Sequence, residues 1–248
     1  MDLGLTGRTA VVTGASSGMG LAIAQALAEE GANVAMFARR REVLEAEAER
    51  AGALAVRGDL TDPADLDRLV ERTLAAFGGI DVLVLNGGGP PPAAALDLTA
   101  EQVEEAVELL LVPFVRLARL CVPHLERSGR GRVILIESSS VKQPIDNLVL
   151  SNAVRPGVVG WAKTLSREVG ARGITVNTIA PGRIDTERVR DLYGGADPPP
   201  DAAADIPLGR LGSPREIGDV ACFLASDRAS YVSGTVISVD GGVGRTLW

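Results

Sequence analysis

The stretch VVTGASSGMGLAIAQALAEEGANVAMFAR, residues 11–39, predicts a strand, a turn, a helix and a second strand. It begins and ends in short apolar runs, and the run between them has apolar residues at helical spacing. Gly14, Gly18 and Gly20 lie in the turn. Glycines allow a tight turn and let a pyrophosphate approach the helix N-terminus, where free N–H groups and the helix dipole favour anions. The stretch therefore predicts a βαβ unit that binds a dinucleotide.

The turn also carries hydroxyl groups, on Ser16 and Ser17, that can add hydrogen-bond donors to a phosphate. The predicted phosphate-binding residues are Gly14, Ser16, Ser17, Gly18, Met19 and Gly20. The alternative is a turn with only a structural role.

The residue after the second strand indicates which dinucleotide is preferred. A carboxylate there would bind the ribose 2′-hydroxyl of NAD, whereas a cation favours the 2′-phosphate of NADP. Arg39 occupies the position and Arg40 follows it. The sequence thus predicts NADP(H) in preference to NAD(H), the alternative being that these arginines only begin a solvated helix.

The rest of the chain continues the alternation of strand and helix. Strands are predicted at 8–13, 33–38, 54–57, 80–85, 132–137, 174–180 and 235–239, and helices near 19–30, 41–51, 63–77, 99–127, 151–170 and 214–226. Most strands are continuous apolar runs, as in a parallel sheet covered on both faces. This pattern predicts an α/β fold, a doubly wound parallel sheet in one domain over residues 1–248.

Composition narrows the class of protein. The chain has 248 residues, is 46% hydrophobic and has a net charge of −7, which argues against nucleic acid or an anionic membrane as a partner. We find no leader and no run long enough to span a bilayer, so we expect a soluble, cytoplasmic protein. Cys121 and Cys222 are predicted to be buried free thiols, and no ligand spacing indicates a metal site.

One segment interrupts the alternation. Residues 193–207, YGGADPPPDAAADIP, are rich in Gly, Pro and Asp. They predict a mobile loop, within residues 187–212, on the substrate side of the sheet. A lid over the ligand is the favoured interpretation, and an ordinary disordered excursion is the alternative.

The motifs TGASSGMG, LVLNGGG, IAPGRIDT and SGTVISVDGG together resemble the short-chain dehydrogenase/reductase family, most closely its 3-oxoacyl-carrier-protein reductases. The resemblance runs from about residue 5 to 243. It implies a Rossmann-type, three-layer αβα domain with a seven-stranded parallel sheet. It also implies oxidation or reduction of a small-molecule alcohol or carbonyl with NAD(P)(H), in a homo-oligomer, a tetramer or a dimer.

The resemblance also assigns cofactor contacts beyond the glycine turn. Two positions would border the adenine, three lie near the adenine ribose, and four line the nicotinamide. They are, in that order, Asp59 and Leu60; Asn86, Gly87 and Gly88; and Pro181, Gly182, Ile184 and Thr186.

The catalytic positions depart from the family. Its serine is matched by Ser138, but its tyrosine, which exchanges a proton with the substrate oxygen, falls on Ser151. Its lysine, which lowers the pKa of the tyrosine and holds the nicotinamide ribose, falls on Arg155. Its asparagine falls on Leu110, within one residue. We take Ser138, Ser151 and Arg155 as the candidate catalytic residues, with Arg155 also holding the cofactor.

These replacements weaken acid–base chemistry. A serine hydroxyl is a poor general acid and an arginine does not release its proton, which predicts a loss of about 10²–10⁴-fold in rate. Ser151 itself is predicted to be a helix N-cap, with Pro156 in or near the first turn. Tyr193 and Lys142 are possible substitutes for the missing acid.

Glu137, Ser139 and Ser140 are predicted to have structural roles at the end of the strand. Three hypotheses remain for the function. The favoured one is an NADP(H)-dependent oxidoreductase with an unusual acid, or with water as the acid. The second is a catalytically inactive NADP(H)-binding sensor or partner subunit. The third is non-redox chemistry, as in halohydrin dehalogenases, which resemble this family but retain the tyrosine and lack the glycines.

Overall fold

The computed structural model describes residues 2–192, 197 and 199–247. Its strands are β1 Thr9–Thr13, β2 Asn33–Ala38, β3 Leu54–Arg57, β4 Val82–Asn86, β5 Arg132–Ile136, β6 Thr175–Pro181 and β7 Val236–Val239. Its helices are α1 Gly18–Glu29, α2 Arg41–Ala51, α3 Pro63–Phe77, α4 Ala100–Leu110, α5 Val112–Ser128, α6 Val149–Val169, α7 Glu187–Leu192 and α8 Pro214–Ala225.

The seven strands form one sheet in the order β3-β2-β1-β4-β5-β6-β7, and every neighbouring pair is parallel. One apolar core lies between the sheet and α3, α4, α5 and α6, and the other lies between the sheet and α1, α2 and α8. The predicted doubly wound, three-layer Rossmann-type fold is confirmed. Strand order reverses between β1 and β4, and ligands of such sheets bind in the crevice at this point.

The predicted helix over 99–127 is in fact two helices. Thr99 caps α4 through a capping box with Gln102. α4 then ends at Leu110, and α5 begins at Val112. Pro113 accounts for the break, because a proline has no N–H to donate to the carbonyl four residues earlier and its ring crowds that turn.

The prediction that Ser151 is the N-cap of the next helix is also wrong. α6 begins at Val149, its N-cap is Leu148, and Ser151 lies inside the first turn. Pro156 lies in the interior of the helix, on its exposed side. Asn147, two residues before the helix, has a φ of 60°, so the chain turns in the left-handed region and enters the helix earlier than the capping pattern predicted.

The segment 187–212 contains regular structure where it is described. It includes α7 and a short 3₁₀ turn over Pro200–Ala203. Tyr193, the proposed substitute acid, lies outside the described residues. The lid role stays a prediction.

Two expectations from composition can be compared with the structure. Cys121 and Cys222 are free and buried, as predicted. Among the described residues, no helix has both the length and the apolar character needed to cross a bilayer.

Candidate active site

The glycine turn is attached to the end of β4 by the side chain of Asn86. Its Nδ2 donates to the carbonyl oxygens of Thr13, at 3.1 Å, and Gly14, at 3.3 Å. The hydroxyl of Thr13 in turn donates to the carbonyl of Asn86 at 2.7 Å. These bonds lie at the strand-order reversal, so they fix the geometry of the crevice where a ligand would bind.

Two positions of the turn require glycine because neighbouring atoms lie too close for a Cβ atom. A Cβ atom on Gly20 would stand 2.2 Å from the carbonyl oxygen of Gly14, and one on Gly14 would stand 2.6 Å from Nδ2 of Asn86. Gly14 also has a φ of 61°, which favours glycine. A larger residue at Gly20 would require the backbone at Gly14 to move, and one at Gly14 would displace the side chain of Asn86.

The N-terminus of α1 is open to an anion. Ser17 is the N-cap, but within the described chain its side chain makes no capping hydrogen bond. The first-turn N–H groups therefore remain available, and the helix dipole favours negative charge there. Gly18 lies close to Thr186, since a Cβ on Gly18 would stand 3.4 Å from the methyl group of Thr186. The residues present thus fit a dinucleotide pyrophosphate.

Arg39 and Arg40 lie at the exposed end of β2. Nη1 of Arg39 is 3.9 Å from Oδ2 of Asp59, and its side chain is 78% exposed. Nη2 of Arg40 is 3.4 Å from Oε2 of Glu187. Such exposed ion pairs are weak, so both guanidinium groups can turn to a phosphate.

The three predicted catalytic residues are brought into one hydroxyl cluster, with Ser140 as the link. The backbone N–H of Ser140 donates to Oγ of Ser138 at 3.1 Å, and Oγ of Ser140 lies 3.1 Å from Oγ of Ser151. Nε of Arg155 donates to Oγ of Ser151 at 3.0 Å. Ser151 and Arg155 are one helical turn apart on the buried side of α6.

Arg155 joins this cluster to two further elements. Nη2 donates to the carbonyl of Gly88, after β4, at 3.2 Å, and Nη1 donates to Oε2 of Glu137, after β5, at 3.0 Å. Both charged side chains are buried. Burial raises the pKa of Glu137 to about 7, although the charge and hydrogen bond of Arg155 act in the opposite direction.

Glu137 and Ser140 are the residues that sequence reasoning missed, because both were assigned structural roles. A signal was present for Glu137. The strand RVILI is buried throughout, and an acidic residue directly after it needs a cation. Arg155, at a position on the apolar side of the next helix, was the cation available.

This cluster does not include Leu110, the candidate acid Lys142 or the tyrosine Tyr231. Leu110, at the position where the resemblance predicts an asparagine, is buried in the apolar core beneath α4. It packs against apolar neighbours there and offers no polar group. Tyr231 is fully exposed and precedes β7, at the opposite edge of the sheet from the strand ends described above. Lys142 directly follows the 3₁₀ turn Ser139–Val141 and has no bond to the hydroxyl cluster.

The remaining predicted contacts lie along the same edge of the sheet. Leu60 approaches Gly87, whose Cβ would stand 3.6 Å from the leucine Cδ1. Pro181 ends β6, and the N–H of Gly182 donates to the carbonyl of Val239 at 3.0 Å. Ile184 is buried and borders a cavity of about 470 Å³, which is also lined by residues 206–208 and 238–242.

Comparison with known proteins identifies relatives over nearly the whole chain. A model of the family described as enoyl-(acyl carrier protein) reductase matches residues 14–244. The chain is 36% identical to the 3-oxoacyl-[acyl-carrier-protein] reductase FabG of Escherichia coli over 241 residues, which is 96% of this chain and 97% of FabG.

Two solved structures share the fold closely. YwfH, an NADPH-dependent reductase involved in bacilysin biosynthesis, superposes with a TM-score of 0.92 at 27% identity, covering 97% of this chain and 99% of YwfH. An NADPH-bound short-chain oxidoreductase from Pseudomonas aeruginosa PAO1, described as containing an atypical catalytic centre, superposes with a TM-score of 0.91 at 31% identity. That match covers 96% of this chain and 97% of the other.

Proposed function

This chain belongs to the short-chain dehydrogenase/reductase family, and on that premise we propose that it reduces a carbonyl compound with NADP(H) at a site built on serine and arginine. The substrate class that the similarity to FabG favours is a 3-oxoacyl thioester or a related ketone. The homo-oligomeric state and the cytoplasmic location stay predictions.

Two sets of hydrogen bonds, joined by the short chain segment after β4, carry the proposal. One links Asn86 to Gly14 in the glycine turn, and the other links Gly88 through Arg155 to the hydroxyl of Ser151. The groups suited to bind a dinucleotide and the groups suited to bind a carbonyl oxygen therefore adjoin one crevice.

NADP(H) is the cofactor that the residues favour. The open first turn of α1 suits the pyrophosphate, and Arg39 suits the 2′-phosphate. Arg155 uses three N–H bonds within the protein and has five in all, so two remain for the hydroxyls of the nicotinamide ribose. The cofactor supplies the hydride when bound. Both structural neighbours are described as using or binding NADPH.

The two outer hydroxyls, of Ser138 and Ser151, can act as donors to a carbonyl oxygen. Ser138 accepts the N–H of Ser140 and keeps its own hydrogen for another acceptor. Ser151 accepts Nε–H of Arg155, and its hydrogen is available to a carbonyl oxygen when Ser140 is the donor in the bond between the two hydroxyls. Two such donors stabilise the negative charge that develops on the carbonyl oxygen during hydride transfer. The cation of Arg155 adds to this by polarising the hydroxyl of Ser151.

The proton of the product alcohol comes from water through this cluster. A serine hydroxyl is far less acidic than a tyrosine hydroxyl, so Ser151 can pass on a proton only as it takes one up. We therefore expect slow turnover, about 10²–10⁴-fold below that of a site with a dedicated general acid.

Binding and turnover together test the proposal. The purified protein is titrated with NADPH and NADH by fluorescence, and NADPH oxidation is then followed with 3-oxoacyl thioesters, ketones, quinones and aldehydes. Micromolar binding of NADPH with slow turnover of one class is the expected result. Tight binding without turnover of any class would instead favour the sensor or partner subunit, and no binding of either cofactor would overturn both.

A further inference from the structure

Glu137 carries a charge that the hydroxyl chemistry does not use. Glu137 is 5% exposed, and one of its carboxylate oxygens, Oε2, accepts a hydrogen bond from Nη1 of Arg155 at 3.0 Å. The other oxygen, Oε1, is buried and has no hydrogen-bond partner among the described residues. A buried carboxylate normally has several donors around it, so this one is only partly compensated.

The site around it is close to electrically neutral. Arg155 contributes one positive charge and Glu137 one negative charge, and Arg155 is the charged group that faces Glu137 within the described chain. Ser138, Ser140 and Ser151 add hydroxyls without charge. A further positive charge in this crevice would therefore be stabilised by the carboxylate of Glu137, whose Oε1 has no hydrogen-bond partner among the described residues.

We propose that Glu137 lowers the dissociation constant of the oxidised nicotinamide cofactor relative to that of the reduced cofactor. The inference rests on the proposed function. The oxidised nicotinamide ring carries one more positive charge than the reduced ring, and Arg155, which would hold the adjoining ribose, is in direct contact with Glu137. A carboxylate here attracts the oxidised ring through surroundings of low dielectric constant.

The consequence is a bias in the direction of reaction on the enzyme. Hydride transfer from the reduced cofactor to a carbonyl gives the oxidised cofactor and an alkoxide, which then takes a proton from water. Stabilising the oxidised form favours that direction, reduction of the carbonyl. It also predicts that the oxidised cofactor leaves slowly and inhibits as a product.

The test compares two dissociation constants in each variant, measured by fluorescence and calorimetry at pH 8. In Glu137→Gln, we expect the ratio Kd(NADP⁺)/Kd(NADPH) to rise about tenfold over the wild-type ratio, because the attraction between two unit charges in surroundings of reduced dielectric constant is lost. In Glu137→Gln/Arg155→Gln, where both charges are removed, the ratio should return toward the wild-type value.

Glu126→Gln is the matched control. It removes a carboxylate that lies near the end of α5, half-exposed and 3.7 Å from Arg172, and it should leave the ratio unchanged. An unchanged ratio in a Glu137→Gln protein that still binds both forms would overturn the inference. Failure of the wild type to bind either form would overturn the proposed function instead, which keeps the two outcomes distinct.

A measurement on the wild type remains if Glu137→Gln does not fold. As the pH falls from 8 to 6, Glu137 takes up a proton and the ratio Kd(NADP⁺)/Kd(NADPH) should rise. The 2′-phosphate also titrates in this range, but it is common to both cofactor forms and its effect cancels in the ratio. A ratio that is constant over this range would contradict the inference.

Discussion

Arg155 of α6 and Glu137 at the end of β5 form a buried ion pair, with Nη1 and Oε2 3.0 Å apart. The pair ties the helix that carries Ser151 to the strand that leads into Ser138. Removing one partner of such a pair leaves the other charge buried and unpaired, which typically costs 3–5 kcal/mol, about as much as half the stability of a small domain. The pair therefore constrains both the site and the stability of the fold.

The first prediction concerns stability and pH. Burial raises the pKa of Glu137 from 4.5 to about 7, so the carboxyl group binds a proton more tightly in the folded state than in the unfolded state. The free energy of unfolding contributed by Glu137 is therefore largest below pH 4.5 and falls as the pH rises to about 7, by at most ~1.4 kcal/mol per pH unit. Urea denaturation of wild type and Glu137→Gln between pH 4.5 and 8 measures the difference.

Glu126→Gln provides the comparison for this experiment, because its carboxylate is half-exposed. The difference between wild type and Glu137→Gln should change across the window, while the difference between wild type and Glu126→Gln stays flat. Equal pH profiles for all three proteins would contradict the assignment of a raised pKa to Glu137.

The second prediction separates stability from cofactor binding. Asn86→Ala leaves the carbonyls of Thr13 and Gly14 without their donor, and should lower the free energy of unfolding by about 1–3 kcal/mol and weaken NADPH binding at least about tenfold. Asn177 is the control: it is also a buried strand asparagine, and its Nδ2 donates to the carbonyl of Val232 at 2.7 Å, away from the glycine turn.

Asn177→Ala should therefore destabilise the protein by a similar amount without changing the dissociation constant for NADPH. Thermal unfolding and fluorescence titration of both variants give the two quantities. If both variants lose NADPH affinity equally, the effect of Asn86 is one of general stability rather than of the glycine turn.

The fold was predictable because strand and helix patterns in this chain are strong. Apolar runs predicted five of the strands to within two residues at each end, and the other two, residues 33–38 and 54–57, without error. The errors came from local backbone chemistry. Pro113 divides one predicted helix into α4 and α5, and the left-handed Asn147 lets α6 begin before the serine that looked like its cap.

The site was predictable only in part. The residues Ser138, Ser151 and Arg155 were located from their place in the family's pattern, and the structure brings them together through Ser140. An acid directly after a buried strand indicates that Glu137 needs a cation, but the pattern does not identify which one, because Arg155 is 18 residues away and their contact depends on how α6 packs against β5. A one-dimensional pattern holds no information on that packing angle.

The third prediction tests the choice of cofactor. Arg39→Ala removes the guanidinium expected to bind the 2′-phosphate, so the affinity for NADPH should fall about 10- to 100-fold while the affinity for NADH changes less than about threefold. Arg41→Ala is the control, since Arg41 is also exposed and its Nε bonds to Glu45 at 2.9 Å within α2. Equal losses for both cofactors in Arg39→Ala would mean that Arg39 does not recognise the phosphate.

The fourth prediction concerns the hydroxyl of Ser151. Ser151→Ala removes one donor to the carbonyl oxygen and should lower kcat about 10²–10³-fold, with the dissociation constant for NADPH nearly unchanged. Thr164→Ala is the control, because Thr164 lies on the exposed side of the same helix, where its hydroxyl donates to the carbonyl of Gly160. A parallel loss of NADPH binding in Ser151→Ala would point to disruption of Arg155 rather than to loss of a donor.

The last prediction restores the missing acid. In Ser151→Tyr/Arg155→Lys, an acidic hydroxyl takes the place of a short, weakly acidic one, and an ammonium beside it lowers its pKa toward neutrality. Since general acid catalysis is typically worth 10²–10⁴-fold, kcat for the best carbonyl substrate of the panel should rise by that order. Ser151→Phe/Arg155→Lys has the same bulk without the hydroxyl and should show no gain. If both double variants bind NADPH and neither turns over faster than the wild type, residue 151 does not face the substrate oxygen, and the site must be placed elsewhere along the crevice.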